Sequence, residues 1–174
     1  MKTLEIRRHS IRSQPGDHLN QEGVHLARLV GQTIGPFDRV VTSTLPRAFE
    51  TAIAMGFAVS EQSELMSTYG HDVDKEAPWP MSFAQYHEAI ECGRAAMKYA
   101  RKLAKYYAGL METISDGRSA LAINHGGVVE IGVVGCLPDF DFSSWGGPVG
   151  YCEGARLYWE DKFIRAEELR VPQP

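Results

Sequence analysis

No apolar run in this chain approaches the roughly 18 residues that a membrane-spanning helix needs, so a bilayer is not an expected partner. The first residues, Met1-Lys2-Thr3-Leu4-Glu5, lack the basic, apolar and small-residue segments of a secretory leader, and the expectation is a cytoplasmic protein. Cysteine is scarce. Cys92, Cys136 and Cys152 are far apart and odd in number, and with no C-x-x-C pair neither a zinc knuckle nor a dithiol redox site is signalled. His18, His25, His71 and His87 keep no metal-ligand spacing with acids or cysteines. No metal and no other cofactor is therefore expected. An excess of positive charge is also missing: the net charge is −4, which argues against nucleic acid or an anionic membrane as partner of the whole chain.

What is present is an ordinary globular composition, 44% hydrophobic and 23% charged over 174 residues, enough for one domain with a real core spanning residues 1–174. Within the acidic total, Arg7, Arg8, His9 and Arg12 crowd into six residues that contain no acid. A basic cluster on an acidic chain points to a small anionic ligand held at one place.

The pattern along the chain alternates strands and helices. Thr3 to Ile6 reads as a strand, and Asn20 caps a helix from Gln21 to Gly31. A second strand covers Phe37 to Thr42 and a helix Pro46 to Met55, with Pro46 in the first turn. A weak third strand lies within Val59 to Met66. Ser67 to Pro80, with Gly70, Pro78 and Pro80, reads as a long loop suited to a lid. From Ser82 to Ser115 apolar residues step by three and four, which predicts a helix packed on a sheet, with Gly93 placed to kink or split it. Ser119 to Ile123 is an apolar strand, Gly126 to Gly135 a helix opened by two glycines, and Gly154–Trp159 with Phe163–Leu169 a hairpin about Glu160-Asp161-Lys162. Together these give an α/β fold, a three-layer α/β/α sandwich with a mostly parallel, mixed central sheet. Trp79, Trp145 and Trp159 read as packing residues, Trp79 with the alternative of touching substrate from the lid.

The chemistry sits where strands end. Arg8 and His9 follow the first strand, Thr42, Ser43 and Arg47 the second, and His125 the strand ending at Ile123. Ligands of open α/β sheets bind at the carboxyl ends of strands, where helix N-termini also point. Arginines clamp phosphoryl oxygens bidentately, backbone N–H groups at Gly126 and Gly127 add donors, and imidazoles supply a nucleophile.

Three stretches resemble the histidine phosphatase superfamily, the phosphoglycerate mutase-like branch 1 family. Arg8-His9-Ser10 is similar to its Arg-His-Gly tripeptide. Ser43-Thr44-Leu45-Pro46-Arg47-Ala48-Phe49-Glu50-Thr51-Ala52 is similar to its Ser-x-x-x-Arg-Ala-x-x-Thr-Ala stretch, and Asn124-His125-Gly126-Gly127 to its late His-Gly pair. Leu19 to Gly23 resembles the Leu-Thr-x-x-Gly that precedes the family's first helix. The likeness runs from Leu4 to Val134, in family order, with the phosphoglycerate mutase-like fold as its implication. It further implies that His9 becomes phosphorylated, that Arg8, Arg47 and His125 hold the phosphoryl group, and that Arg12 is a further phosphate-binding arginine. The activity implied is a phosphatase acting on a phosphorylated small molecule or phosphoprotein. The alternatives are a phosphoglycerate-type mutase, or a phosphate- or phosphoprotein-binding module without efficient turnover.

Two departures stand out. Ser10 replaces glycine, and the family's general acid has no match, since Ser67 and Gly126 occupy the two places where relatives carry it. His71, Asp72, Asp74 and Glu76 follow Gly70 as candidate donors, with Asp72 the preferred one.

Overall fold

The computed structural model describes residues 1–171. In chain order the elements are β1 (Lys2–Arg8), α1 (Gln21–Gly31), β2 (Arg39–Thr42), α2 (Pro46–Ala54), β3 (Glu61–Gln62), a 3-10 turn (Glu64–Met66), α3 (His71–Glu76), α4 (Phe83–Cys92), α5 (Ala95–Glu112), β4 (Ser119–Asn124), α6 (Val128–Cys136), β5 (Gly154–Trp159) and β6 (Phe163–Leu169). One six-stranded sheet has the order β3-β2-β4-β1-β5-β6. The β1, β2, β3 and β4 strands run parallel, and β5 runs antiparallel to both of its neighbours, β1 and β6, so the sheet is mixed as expected.

Alternation along the strands builds two cores. Leu4, Ile6, Val41, Ala120 and Ala122 face the layer of α4, α5 and α6, whereas Val40, Leu121 and Ile123 face α1 and α2. The result is the expected three-layer sandwich. Among the described residues no helix is long and apolar enough to cross a membrane.

Local signals fixed several boundaries. The Asn20 side chain caps α1 by accepting from the Gly23 N–H (2.7 Å). The predicted long helix is two helices, broken at Gly93 and Arg94. Ser82 opens the first with a capping box to Gln85. Glu76 caps the second, its carboxylate accepting from the Ala96 N–H (2.8 Å). Much of α5 rests on α6 rather than directly on the strands. Glycines on α6 permit this closeness, because a Cβ at Gly135 would lie 2.4 Å from the Ala100 carbonyl.

Two expectations need correction. Ser67 to Pro80 is not all loop: α3 forms within it because Val73 buries its side chain against the core and pulls one helical turn down with it. The third strand shrinks to two exposed residues, since Glu61 and Gln62 only extend the edge of β2.

Candidate active site

Parallel register brings the expected residues together. Arg8 lies opposite Asn124 in β1 and β4, and Thr42 opposite Ile123 in β2 and β4, so His9, Ser43 and His125 leave the sheet at one level. All three are buried: His9 is 4% exposed, His125 7% and Ser43 fully covered. Arg47, on the first turn of α2, reaches the same place.

The His9 ring is held in one orientation. Its Nδ1–H donates to the Ser10 carbonyl (2.6 Å), which leaves the lone pair of the neutral ring on Nε2. Arg47 Nε donates to that Nε2 at 3.2 Å. Burial, reinforced by the charges of Arg8, Arg47 and Arg12, pushes the His9 pKa down to about 3. At neutral pH His9 is therefore an uncharged imidazole among cations, which is the form a nucleophile needs.

His125 faces it, with ring centroids 5.2 Å apart. Its Nε2 bonds Ser43 Oγ (2.7 Å), and Ser43 Oγ also accepts from the Leu45 N–H (3.3 Å). The consistent assignment has the Ser43 hydroxyl donating to His125 and the remaining ring proton on Nδ1. That Nδ1 is buried without a partner among the described residues, as is Arg8 Nε. Unused buried donors are costly unless an acceptor arrives, and an anion suits both. Burial, with His9 and the arginines adding to it, lowers the His125 pKa to about 2.

Arg8 lies over the Tyr151 ring (4.2 Å to the centroid) and near Trp79 (5.0 Å), while its Nη1 donates to the Val149 carbonyl (3.1 Å). Arg12 is half-buried at the edge, donates to the Gly16 carbonyl (2.6 Å), and pairs with Leu19 through the backbone. Its charge is felt by His9, Arg8 and Arg47, which places it beside the pocket. Arg7, by contrast, points away into the interior, ion-paired to Glu5 (2.7 Å) and bonded to the Cys152 carbonyl (2.8 Å).

One expected donor is already engaged. The Gly127 N–H donates to Glu130 Oε2 (2.8 Å), so it does not serve the pocket. The glycine pair answers instead to close aromatic packing: a Cβ at Gly126 would meet the Trp79 ring at 2.7 Å. A Cβ at Gly127 would meet Tyr69 at 2.6 Å, on a backbone with φ of +85°. Trp79 thus packs on the site as well as lining it. Ser10 does not disturb the turn after β1. Its N–H donates to Thr51 Oγ1 (2.9 Å) and its hydroxyl to the Gly23 carbonyl (2.7 Å).

Three residues here were not foreseen. Glu130 is fully buried, binds the Gly127 and Val149 N–H groups, and is pushed up to a pKa of about 7, chiefly by burial. A lone acid in the apolar run of α6 was its signal. Tyr151 stacks on Arg8 from a loop with no periodicity to betray it. Asp17 binds Arg47 Nη1 through Oδ1 at 2.6 Å, and its only sequence cue was its place just past the basic cluster. Of the expected donors, Asp72 is exposed on α3, Asp74 accepts from Tyr69 (3.2 Å), and Glu76 is the α5 cap. Among the described residues no cluster of three His, Cys, Asp or Glu side chains is arranged to hold a metal ion.

No family model matches the sequence, and a search of curated proteins gives no match. Solved structures do match. A phosphoserine phosphatase from Entamoeba histolytica is 17% identical, with a TM-score of 0.70 over 98% of each chain. A mycobacterial glucosyl-3-phosphoglycerate phosphatase, solved with VO3, is 18% identical, with a TM-score of 0.71 over 99% of this chain and 100% of that one. A phosphoglycerate mutase from Bacillus anthracis is 16% identical, with a TM-score of 0.67 over 97% and 92%. Over nearly its whole length, the chain has the phosphoglycerate mutase-like fold of these enzymes.

Proposed function

We propose that the protein belongs with the histidine phosphatases and hydrolyses phosphomonoesters or phosphoramidates through a phosphohistidine on His9, without a metal. The observation that carries this is the His9 imidazole, which is neutral, has Nδ1 fixed on a carbonyl, and turns Nε2 toward Arg47. Attack by Nε2 on phosphorus splits hydrolysis into two displacements. The group in transfer is loose and anionic, so positioning and charge stabilisation carry most of the catalysis. Arg8, Arg47 and His125, with Arg12 at the edge, supply donors and positive charge around its equatorial oxygens.

Covalent labelling tests the reading. A rapid quench that avoids acid, followed by peptide mass analysis, should find one phosphoryl group on the peptide containing His9. Label on a serine or cysteine peptide would overturn it. The mutase among the structural neighbours supports a second reading, in which the phosphoryl group passes to a bound hydroxyl rather than to water. Measuring free phosphate against transfer product separates the two.

A further inference from the structure

The Asp17–Arg47 pair points to the missing proton donor, and we infer that Asp17 protonates the leaving-group oxygen. The inference rests on the phosphohistidine reading above. Arg47 places Nε on the nucleophilic nitrogen of His9 and Nη1 on Asp17, so one guanidinium separates the two groups. Arg47 is mostly buried, 16% exposed, while Asp17 stands at the mouth, 58% exposed. A phosphoryl group clamped by Arg47 next to Nε2 would lie beside Asp17, which bonds the same guanidinium.

The other nearby carboxylates are otherwise committed or have no link to the clamp. Glu130 has both oxygens on backbone N–H groups and is fully buried. Glu64 is bonded to Thr44 and Ser67. Asp74 holds Tyr69 and Glu76 caps α5. Asp72 is exposed and has no side-chain hydrogen bond among the described residues. Asp17 is the carboxylate there that bonds a side chain of the phosphate clamp.

The loop that carries it is anchored. Glu50, on α2, bonds His18 Nδ1 (2.5 Å) and the Leu19 N–H (2.8 Å). Arg12 donates to the Gly16 carbonyl (2.6 Å), and the Ser13 N–H to the His18 carbonyl (2.9 Å). The charged and titratable groups around Asp17 are thus Arg47, Arg12, His18 and Glu50, with the Glu50 carboxylate holding His18 above the usual imidazole range.

Arg47 Nη1 donates to Asp17 Oδ1. An arriving phosphoryl group takes over Arg47 and presents its own negative charge. Asp17 is exposed, so solvent can supply the proton it carries to the leaving group. As Nε2 bonds to phosphorus, the ester P–O bond breaks, its electron pair passes to the departing oxygen, and the Asp17 proton joins that oxygen. In the second displacement the Asp17 carboxylate takes a proton from water. The water oxygen bonds to phosphorus, and the N–P electron pair returns to His9.

The test compares 4-nitrophenyl phosphate, whose leaving group needs no acid, with n-propyl phosphate, whose leaving group does. Asp17→Asn should slow the alkyl ester by roughly 10²–10⁴-fold and the aryl ester at most a few-fold. Asp17→Glu should restore part of the rate on the alkyl ester, and Asp72→Asn should change neither substrate. Equal slowing of both esters would assign Asp17 to orienting Arg47 and overturn the donor role, as would wild-type rates on both. A wild-type protein inactive on both esters, and unlabelled on His9, would overturn the phosphatase reading and the donor with it.

Discussion

The floor of the pocket and its mouth hold their charged groups in different ways. At the floor, His9, Ser43 and His125 are buried, fixed by strand ends, and bonded to backbone or to each other. At the mouth, Asp17 and His18 are exposed and held on a loop by side chains of α2, with one ion pair reaching inward. A buried, pre-oriented floor reorganises little when charge develops, which is what electrostatic catalysis requires. The Asp17–Arg47 pair has one exposed end and one mostly buried end, so the exposed carboxylate is the partner that can exchange most readily. Arg47 belongs to both regions.

Substitution at the floor should have the largest effect. His9→Ala should abolish turnover and phosphoryl labelling while urea unfolding still shows one cooperative transition. Residual turnover near the wild-type rate would remove His9 from the chemistry.

The arginines come next. Arg8→Ala and Arg47→Ala should each cost at least ~2.7 kcal/mol of transition-state stabilisation, about a hundredfold in kcat/KM. Vanadate inhibition should weaken in parallel. Kinetics like the wild type in either variant would place that arginine outside the pocket.

The buried floor should also leave a mark on stability. His9 and His125 sit at about 3 and about 2 in the folded protein against an ordinary 6.5. As pH falls below 6.5 the unfolded chain binds protons that the folded pocket does not. Their contribution is therefore complete above pH 6.5 and lost progressively as pH falls toward 3. Glu130 acts in the opposite direction: raised from 4.5 to about 7, its contribution is present below pH 4.5 and lost as pH rises through 7. Urea unfolding at a series of pH values should show a shallower acid-side loss in His125→Asn than in wild type, by up to roughly 1.4 kcal/mol per pH unit. Identical slopes would mean that the floor imidazole titrates normally.

The smallest expected effect is none. Exhaustive chelation should leave the rate unchanged, because in the proposed mechanism arginines supply the positive charge. Loss of activity that a divalent ion restores would assign part of that charge to a metal.

Short-range features were legible in the sequence. Asn20 capped its helix because the cap bond spans three residues, and the β5–β6 hairpin followed from alternation about a turn. Gly93 split the long helical pattern where it stood. The places of His9 and His125 at strand ends, and of Arg47 on the first turn of the helix after β2, were also readable, since α/β topology sends strand ends and helix N-termini to a common edge.

What the sequence by itself determined was therefore the alternation of elements, their caps, and the chemical kind of residue at each strand end. Only the tertiary structure decided which donors remain free and which charges meet. Glu130 reaches Val149 across nineteen residues and takes the Gly127 N–H from the pocket, and Asp17 meets Arg47 across thirty. Tyr151 comes to lie over Arg8 from the far end of the chain. Such pairings depend on how the sheet and helices cross, and hydrogen bonds and ion pairs act over a few ångströms in space whatever the separation in sequence. Periodicity and propensity report only on neighbours along the chain, so they placed the groups at one edge of the sheet and not the partners that those groups meet.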